Sequence, residues 1–118
     1  EFYNWACNQS FISTSVDIGS GYQNSVSIRN VCNFTNVAAA MALYLPFNNK
    51  NDWFLPSLEE LKILALFNKD VMNKALRFEH WSSTQANNSS AYVVNMENNE
   101  VNTLSKLNFK YAVQIRRY

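Results

Sequence analysis

The chain has 118 residues, enough for one domain that buries about two thirds of its unfolded surface. Its 47% hydrophobic and 16% charged residues are typical of a globular protein and argue against a disordered one. A formal net charge of +1 argues against nucleic-acid binding, and no apolar run approaches the roughly 20 residues that span a bilayer. We therefore expect one domain, 1–118, that neither binds nucleic acid nor inserts into a membrane.

The first half of the chain predicts short elements separated by turns. In order, these are an extended segment over 2–11, a turn over 17–21, a short helix over 25–32 and a buried helix over 37–45. The turn contains both glycines of the chain, which indicates a need for backbone freedom. In the extended segment, the candidate core residues are Phe2, Tyr3 and Trp5.

A proline and a capping serine mark the start of the next helix. Ser57 and Glu60 fit the capping box, in which the hydroxyl and the carboxylate each accept a backbone N–H. Leucine residues recur behind them at helical spacing, so a helix is predicted over 57–67. A third helix is predicted over 68–77, with these side chains buried: Met72, Ala75 and Leu76.

After His80 the pattern changes to alternation. Residues 92–97 predict a strand whose core face carries Tyr92, Val94 and Met96 and whose outer face carries Val93 and Asn95. Asn98-Asn99 fit a two-residue turn, followed by a return strand over 101–106 and a last strand over 111–115. Because helices precede antiparallel strands, the predicted class is α+β.

The sequence offers no convincing enzyme or metal site. His80 is the only histidine and stands beside Trp81, which favours a buried structural role over catalysis. Zinc sites use about four ligands, whereas this chain has two cysteines and one histidine without close spacing. The acidic residues lack the alternating arrangement of a calcium loop. We predict a non-enzymatic protein with no metal and no cofactor.

The two cysteines, Cys7 and Cys32, leave two interpretations open. A disulfide between them would close a loop of about 26 residues and stabilise the fold by roughly 3.5 kcal/mol. Two buried free thiols, behaving as small hydrophobic residues, are the alternative. A pair of cysteines alone does not decide between them.

Several different short motifs are spread along nearly the whole chain. They are Trp5-Ala6-Cys7, Ile18-Gly19-Ser20-Gly21 with Gln23-Asn24, Cys32 before Ala38-Ala39, Asp52-Trp53-Phe54-Leu55-Pro56-Ser57 with Glu60-Leu61, Trp81-Ser82-Ser83-Thr84, and Ile115-Arg116. Together and in this order, they resemble the C-terminal domain family of collagen-like bacterial adhesins, the Lcl type.

The resemblance implies a fold, a covalent link and a location. The implied fold is C-type-lectin-like, of the formylglycine-generating-enzyme type, with two main helices packed on a twisted antiparallel sheet. Both cysteines stand where the family has them, which favours the Cys7–Cys32 disulfide. The implied location is extracellular, at a cell surface or on a virion, and the implied partner is a protein or another cell-surface ligand. The enzyme branch of the fold uses a cysteine pair near the C-terminus, which this chain lacks.

The same fold is used by variable proteins of diversity-generating retroelements, in which adenines of a C-terminal segment are mutated. The asparagine-rich segment 81–118 is similar to such a variable region, because asparagine codons are the usual targets. This likeness implies a rigid frame that displays polar side chains to a ligand.

We therefore predict a ligand-binding display domain whose surface lies in 81–118. Its candidate contact residues are Gln85, Asn87, Asn88, Val93, Asn95, Asn98, Asn99, Asn102, Asn108 and Tyr111, the last as an aromatic anchor. One alternative is a structural or trimerising domain of an adhesin or fibre, which would self-associate through an apolar patch. Another is an oxidase of the formylglycine-generating type, which would need a redox-active thiol.

Overall fold

Three helices precede three strands in the structure, a computed structural model that describes residues 2–34, 36–44, 49–70 and 76–116. The helices are α1 (Gly21–Val31), α2 (Ala38–Tyr44) and α3 (Leu58–Asp70). The strands are β1 (Glu79–Gln85), β2 (Ser90–Asn95) and β3 (Val101–Ser105), which form one antiparallel sheet in the order β1-β2-β3. The predicted α+β class is therefore confirmed.

The predicted capping box begins α3. The Ser57 N–H donates to Glu60 Oε1 at 2.8 Å, and the Glu60 N–H donates back to Ser57 Oγ at 3.4 Å. The helix runs on to Asp70, so residues 68–70 belong to α3. The prediction of a separate helix over 68–77 was therefore wrong for the residues that the structure describes. Leu76 and Arg77 are not helical, and 71–75, with Met72 and Ala75, lie outside the described residues.

Helix α1 begins earlier than the predicted segment 25–32. Its start was missed because the inward face of the helix is polar. Asn24 and Ser25 are buried on that face, between Gly21 and Ile28. The Asn24 amide bonds both the N–H and the C=O of Ser15, at 2.9 and 2.7 Å. Buried polar side chains are tolerated in the interior when they are hydrogen-bonded. They interrupt the apolar spacing by which a helix is recognised in a sequence. Helix α2 lies inside its predicted range of 37–45, of which Leu45 is outside the described residues.

Strand β2 is buried on both faces rather than on one. Val93 and Ala91 pack in a core cluster with Trp5, whereas Val94 and Met96 pack on the other face with Leu61 of α3. Val93 is fully buried, so its assignment to a solvent-facing surface was wrong. The alternating pattern of the sequence suggested one buried face and one solvent-facing face. Both faces are buried because helices cover the sheet from both sides.

The segments around β3 depart from the simple hairpin pattern. The connection from β2 to β3 spans 96–100 instead of two residues, although Asn99 has the positive φ of 65° that such a turn needs. The predicted strand over 111–115 is absent as a regular element. Tyr111 forms an isolated bridge with His80, and Ile115 forms one with Phe54.

The N-terminal segment is tied to the sheet and to α1. The Trp5 and Ala6 N–H groups donate to Lys106 C=O, at 3.0 and 3.3 Å. A disulfide joins Cys7 to Cys32 at the end of α1, with the Cα atoms 5.5 Å apart. Trp5 is buried as expected, but Phe2 is 56% exposed and is not a core residue.

The helices found in the structure do not include one with the length and apolar character required to cross a bilayer, within the ranges given above.

Candidate ligand-binding surface

The structure distributes the sequence-predicted contact residues over two opposite ends of the sheet. Gln85, Asn87 and Asn88 lie where β1 turns into β2, while Asn95, Asn98 and Asn99 lie where β2 turns into β3. These ends are separated by the six residues of β2, a distance of about 17 Å. Of the remaining residues, Asn102 is exposed on β3, Asn108 is exposed just after it, and Tyr111 lies at the Asn95 end.

A cleft of about 400 Å³ opens at the Asn95 end of the sheet. Its lining residues are Phe2, Phe78, Glu79, Asn95, Lys110 and Tyr111. Of these, only Asn95 and Tyr111 were predicted from the sequence. We call this feature the aromatic cleft.

Tyr111 lies at the centre of a group of rings. Its centroid is 4.5 Å from that of Phe2, 5.8 Å from that of Phe78 and 5.5 Å from that of His80. Phe2 and Phe78 are 56% and 52% exposed, so about half of each ring meets solvent. These two exposed rings, with the partly buried Tyr111 between them, give the cleft an apolar wall.

Phe78 is held in a conformation that bulky residues rarely adopt. Its φ is +70°, in the left-handed region. The Phe78 C=O accepts the Met96 N–H at 3.0 Å, which anchors this part of the chain to the end of β2. Backbone strain of this kind costs about 1–3 kcal/mol and clusters at functional sites. The strained residue here is also the one that turns its ring toward the cleft.

The polar groups of the lining side chains are the Asn95 amide, the Tyr111 hydroxyl and the ion pair of Glu79 with Lys110. Asn95 Oδ1 accepts the N–H groups of Glu97 and Asn98, at 2.9 and 3.3 Å, and so holds the turn. Its amide nitrogen has no hydrogen-bond partner among the described residues, and Asn95 lines the cleft. Lys110 Nζ lies 3.2 Å from Glu79 Oε1, so these charges compensate each other. The cleft therefore suits a neutral ligand with an apolar face and a hydrogen-bond acceptor.

His80 packs against Tyr111 of the cleft, with the ring centroids 5.5 Å apart. It is 6% exposed, and burial lowers the pKa of its imidazole, which favours the neutral form. Its Nδ1 lies 3.3 Å from Phe78 C=O. In the part of the chain that the structure describes, no cluster of three or more His, Cys, Asp or Glu side chains could hold a metal ion.

At the other end of the sheet, the predicted residues hold the fold. Gln85 Oε1 accepts hydrogen bonds from the Ile12 N–H, at 2.9 Å, and from Lys106 Nζ, at 2.8 Å. Asn87 Oδ1 accepts the N–H groups of Ser89 and Ser90. Gln85 is thus an internal bridge, and Asn87 shapes its loop. The side chains of Asn87, Asn88 and Asn108 are exposed at this end.

Two predicted asparagines shape the β2–β3 connection. Asn98 Oδ1 accepts the Glu100 N–H at 3.0 Å. Asn99 supplies the left-handed residue, and its Oδ1 is buried without a hydrogen-bond partner among the described residues. The Asn98 side chain and the Asn99 backbone therefore shape the connection that follows Asn95, which lines the aromatic cleft.

Lys106 is a buried residue that the sequence did not reveal. Its Nζ donates to Ser10 C=O at 2.9 Å and lies 4.7 Å from the ring centroid of Trp5. Burial lowers the pKa of this ammonium to about 8. No local signal in the sequence distinguishes it from a surface lysine.

The lowered pKa of Lys106 makes stability depend on pH. Between about pH 8 and 10.5, the unfolded chain keeps a proton that the folded chain has released. The free energy of unfolding should therefore rise with pH across this window, by at most about 1.4 kcal/mol per pH unit. Lys106→Met should remove the rise, as measured by urea unfolding below and above the window. Parallel pH profiles for the two proteins would contradict this.

The chain matches no protein-family model, and comparison with curated proteins finds no similar sequence.

Proposed function

We propose that this chain is a non-enzymatic ligand-binding domain of the C-type-lectin-like fold, and that it binds its ligand in the aromatic cleft. The observation that carries the proposal is the group formed by Tyr111 with the half-exposed rings of Phe2 and Phe78. Exposing such rings to water is unfavourable, and aromatic side chains are enriched at binding hot spots. The ligand is a group on a protein or another cell-surface molecule.

The cleft is supported by a rigid frame, as ligand sites usually are. Tyr111 C=O accepts the Trp81 N–H at 2.9 Å, and the buried Trp81 indole donates to Tyr3 C=O at 2.7 Å. Strand β1, the N-terminal segment and the segment with Tyr111 are thus tied together. A preformed site loses little conformational entropy when it binds.

The motifs behind the resemblance also contact one another, which supports the proposed fold. Arg116 forms a two-point ion pair with Asp52, at 2.7 and 2.8 Å, and this hydrogen bonding lowers the pKa of the Asp52 carboxyl. The Trp5 indole donates to Ser82 C=O at 2.7 Å. Residues far apart in the chain therefore meet as one framework, which explains why these residue types occur together.

The proposal includes diversification of the C-terminal segment by a retroelement. The candidate targets are the asparagines of 81–118 that line the cleft or lie exposed beside it, Asn95 and Asn98. We expect a template repeat near the gene whose differences are confined to adenines and fall on such codons. Codons of buried residues such as Trp81 and Val93 should be identical in both copies. Differences spread over other bases would contradict this part of the proposal.

The Asn95 amide nitrogen allows a test that leaves the fold intact. Asn95→Asp keeps the oxygen that caps the turn but removes the N–H donor. For compounds identified from a panel of saccharides and aromatic peptides, affinity should fall about tenfold, which corresponds to roughly 1.4 kcal/mol. Asn102→Asp is the matched control, because it makes the same chemical change on an exposed strand position outside the cleft. Equal affinities of the two variants would contradict the proposed site.

A further inference from the structure

Strand β3 is the outer strand of the sheet, and one of its two sides has no neighbouring strand. The order β1-β2-β3 places β2 on the inner side of β3. Among the described residues, no backbone hydrogen bond or bridge joins another segment to the outer side of 101–104. Val101, Asn102 and Thr103 are exposed. The outer side of this strand, which we call the β3 edge, is therefore open to solvent.

The pairing of β3 with β2 determines which backbone groups point to this edge. At the two ends of the ladder, the Glu100 C=O accepts the Asn95 N–H at 2.8 Å, and the Lys106 N–H donates to Ser89 C=O at 2.9 Å. In an antiparallel pair with an unbroken register, such bonded positions recur at every second residue. The even-numbered residues of β3 therefore direct their backbone groups to β2, and the odd-numbered residues direct theirs to the open edge.

The odd-numbered residues offer a regular row of donors and acceptors. Val101 and Thr103 each present an N–H and a C=O at the β3 edge. The Ser105 N–H points the same way, whereas the Ser105 C=O accepts the Asn108 N–H at 3.0 Å, where the chain turns away. The backbone of an extended strand matches this whole row, because it carries alternating donors and acceptors at the same spacing. The edge therefore specifies an extended polypeptide as its occupant.

Strand β3 lacks the features by which proteins usually protect an open edge, namely proline, a bulge or a charged side chain. Val101–Ser105 contains no proline and no charged residue, and its register with β2 has no bulge. Lys106 follows the strand, but its ammonium is turned inward to Ser10 C=O and Gln85 Oε1, at 2.9 and 2.8 Å. The one lysine next to the strand is thus unable to block a second chain.

The side chains of the β3 edge indicate which sequences fit. Val101 and Thr103 lie on the sheet face that packs with α3, because their partners in β2 lie on that face. β-Branched or aromatic residues of an added strand would extend this face. Glu100 is exposed at the start of β3 and forms no ion pair among the described residues. A basic residue at the adjoining end of the added strand complements it.

We propose that the β3 edge binds an extended segment of a partner protein, which adds a fourth strand to the three-stranded sheet. The segment carries β-branched or aromatic residues at alternate positions and a basic residue beside Glu100. The β3 edge shares no residue with the lining of the aromatic cleft, so binding at either place is tested separately.

Hydrogen exchange at single amides, followed by NMR, tests the β3 edge in the wild-type chain. In the free protein, the Val101 and Thr103 amides should exchange fast, whereas those of Asn102 and Leu104 should be protected. The probe is the capped peptide Lys-Val-Thr-Val-Thr-Val-Lys, whose terminal lysines suit either strand direction. At about ten times its dissociation constant, it should slow exchange at Val101 and Thr103 about tenfold. The control peptide Lys-Pro-Thr-Pro-Thr-Pro-Lys, which lacks most backbone donors, should have no effect.

Thr103→Pro tests the same contact by removing one outward N–H. Proline is tolerated on an edge strand where the N–H faces solvent, so the bonds between β2 and β3 should remain. The variant should bind the first peptide at least about tenfold more weakly. Thr103→Val is the matched control, because it keeps the backbone N–H and the β-branched side chain, and it should bind as the wild type does. The exchange pattern of the wild type decides the question if the proline variant does not fold.

Three results would overturn the proposal. The first is slow exchange at Val101 and Thr103 in the free, dilute protein, which would mean that the edge is already covered. The second is exchange that neither peptide slows, or that both peptides slow equally. The third is protection that appears without peptide when the protein is concentrated, which would assign the edge to a second copy of this chain instead of a separate partner.

Discussion

Trp81→Ala should lower the free energy of unfolding by about 3–5 kcal/mol, the usual cost of removing a buried tryptophan. The Trp81 side chain is fully buried and packs in the same cluster as Val93, its partner across the sheet. The substitution also leaves Tyr3 C=O without the indole donor. Urea unfolding followed by circular dichroism measures the loss.

Trp53→Ala is the matched control for this substitution. Trp53 is half-buried, and its indole donates to Lys50 C=O at 3.2 Å near the surface. Its removal should cost about 1–2 kcal/mol, because less apolar area returns to water. Equal losses for Trp53 and Trp81 would contradict the position given to Trp81 at the centre of the frame.

Removal of the disulfide should cost about 3.5 kcal/mol, the value of closing a loop of about 26 residues in the chain-entropy model. The loop contains all of α1, so the cross-link limits the unfolded freedom of a helix whose inward face is polar. Cys7→Ser/Cys32→Ala removes it with substitutes suited to one exposed and one buried site. Urea unfolding measures the change.

Reduction of the wild type provides the control for the cysteine variant. Wild type treated with a thiol reductant should unfold at the same urea concentration as the double variant. A loss below about 1 kcal/mol in both samples would show that the link between Cys7 and Cys32 does not constrain the unfolded chain. A loss in the variant alone would point to packing at Cys32, which is fully buried.

The parts of the fold that the sequence predicted are those with local signals. The start of α3 depends on Ser57 and Glu60, which are three residues apart and bond each other directly. The Ala-rich α2 has high helix propensity. Such elements are encoded within a few residues, so they can be recognised without the tertiary structure.

Strand β1 was missed because its polar side chains are buried. Ser82 Oγ donates to Tyr92 C=O at 2.9 Å, and Thr84 Oγ1 accepts the Leu58 N–H at 3.0 Å. Ser83 Oγ accepts a hydrogen bond from the Asn24 amide nitrogen at 3.3 Å. Partners from distant parts of the chain make this interior stable, and no local pattern reveals them.

The candidate site was predicted in part for a similar reason. Asn95 and Tyr111 belong to the asparagine-rich segment, so composition drew attention to them. Phe2 comes from the other end of the chain, and the cleft acquires it only because the Tyr3 and Lys110 backbones pair. The ring of Phe78 reaches the cleft because the residue has a positive φ. Phenylalanine rarely adopts this conformation, so the sequence does not predict it.

Amide chemical-shift mapping with small fragments tests the central claim most directly. The probes are phenol, acetamide and glucose, which represent the aromatic, amide and sugar groups of cell-surface molecules. Shift changes should be centred on Phe78, Asn95 and Tyr111, around the aromatic cleft. Changes centred on Asn87, Asn88 and Asn108 at the opposite end of the sheet would contradict it, as would the absence of any localised change.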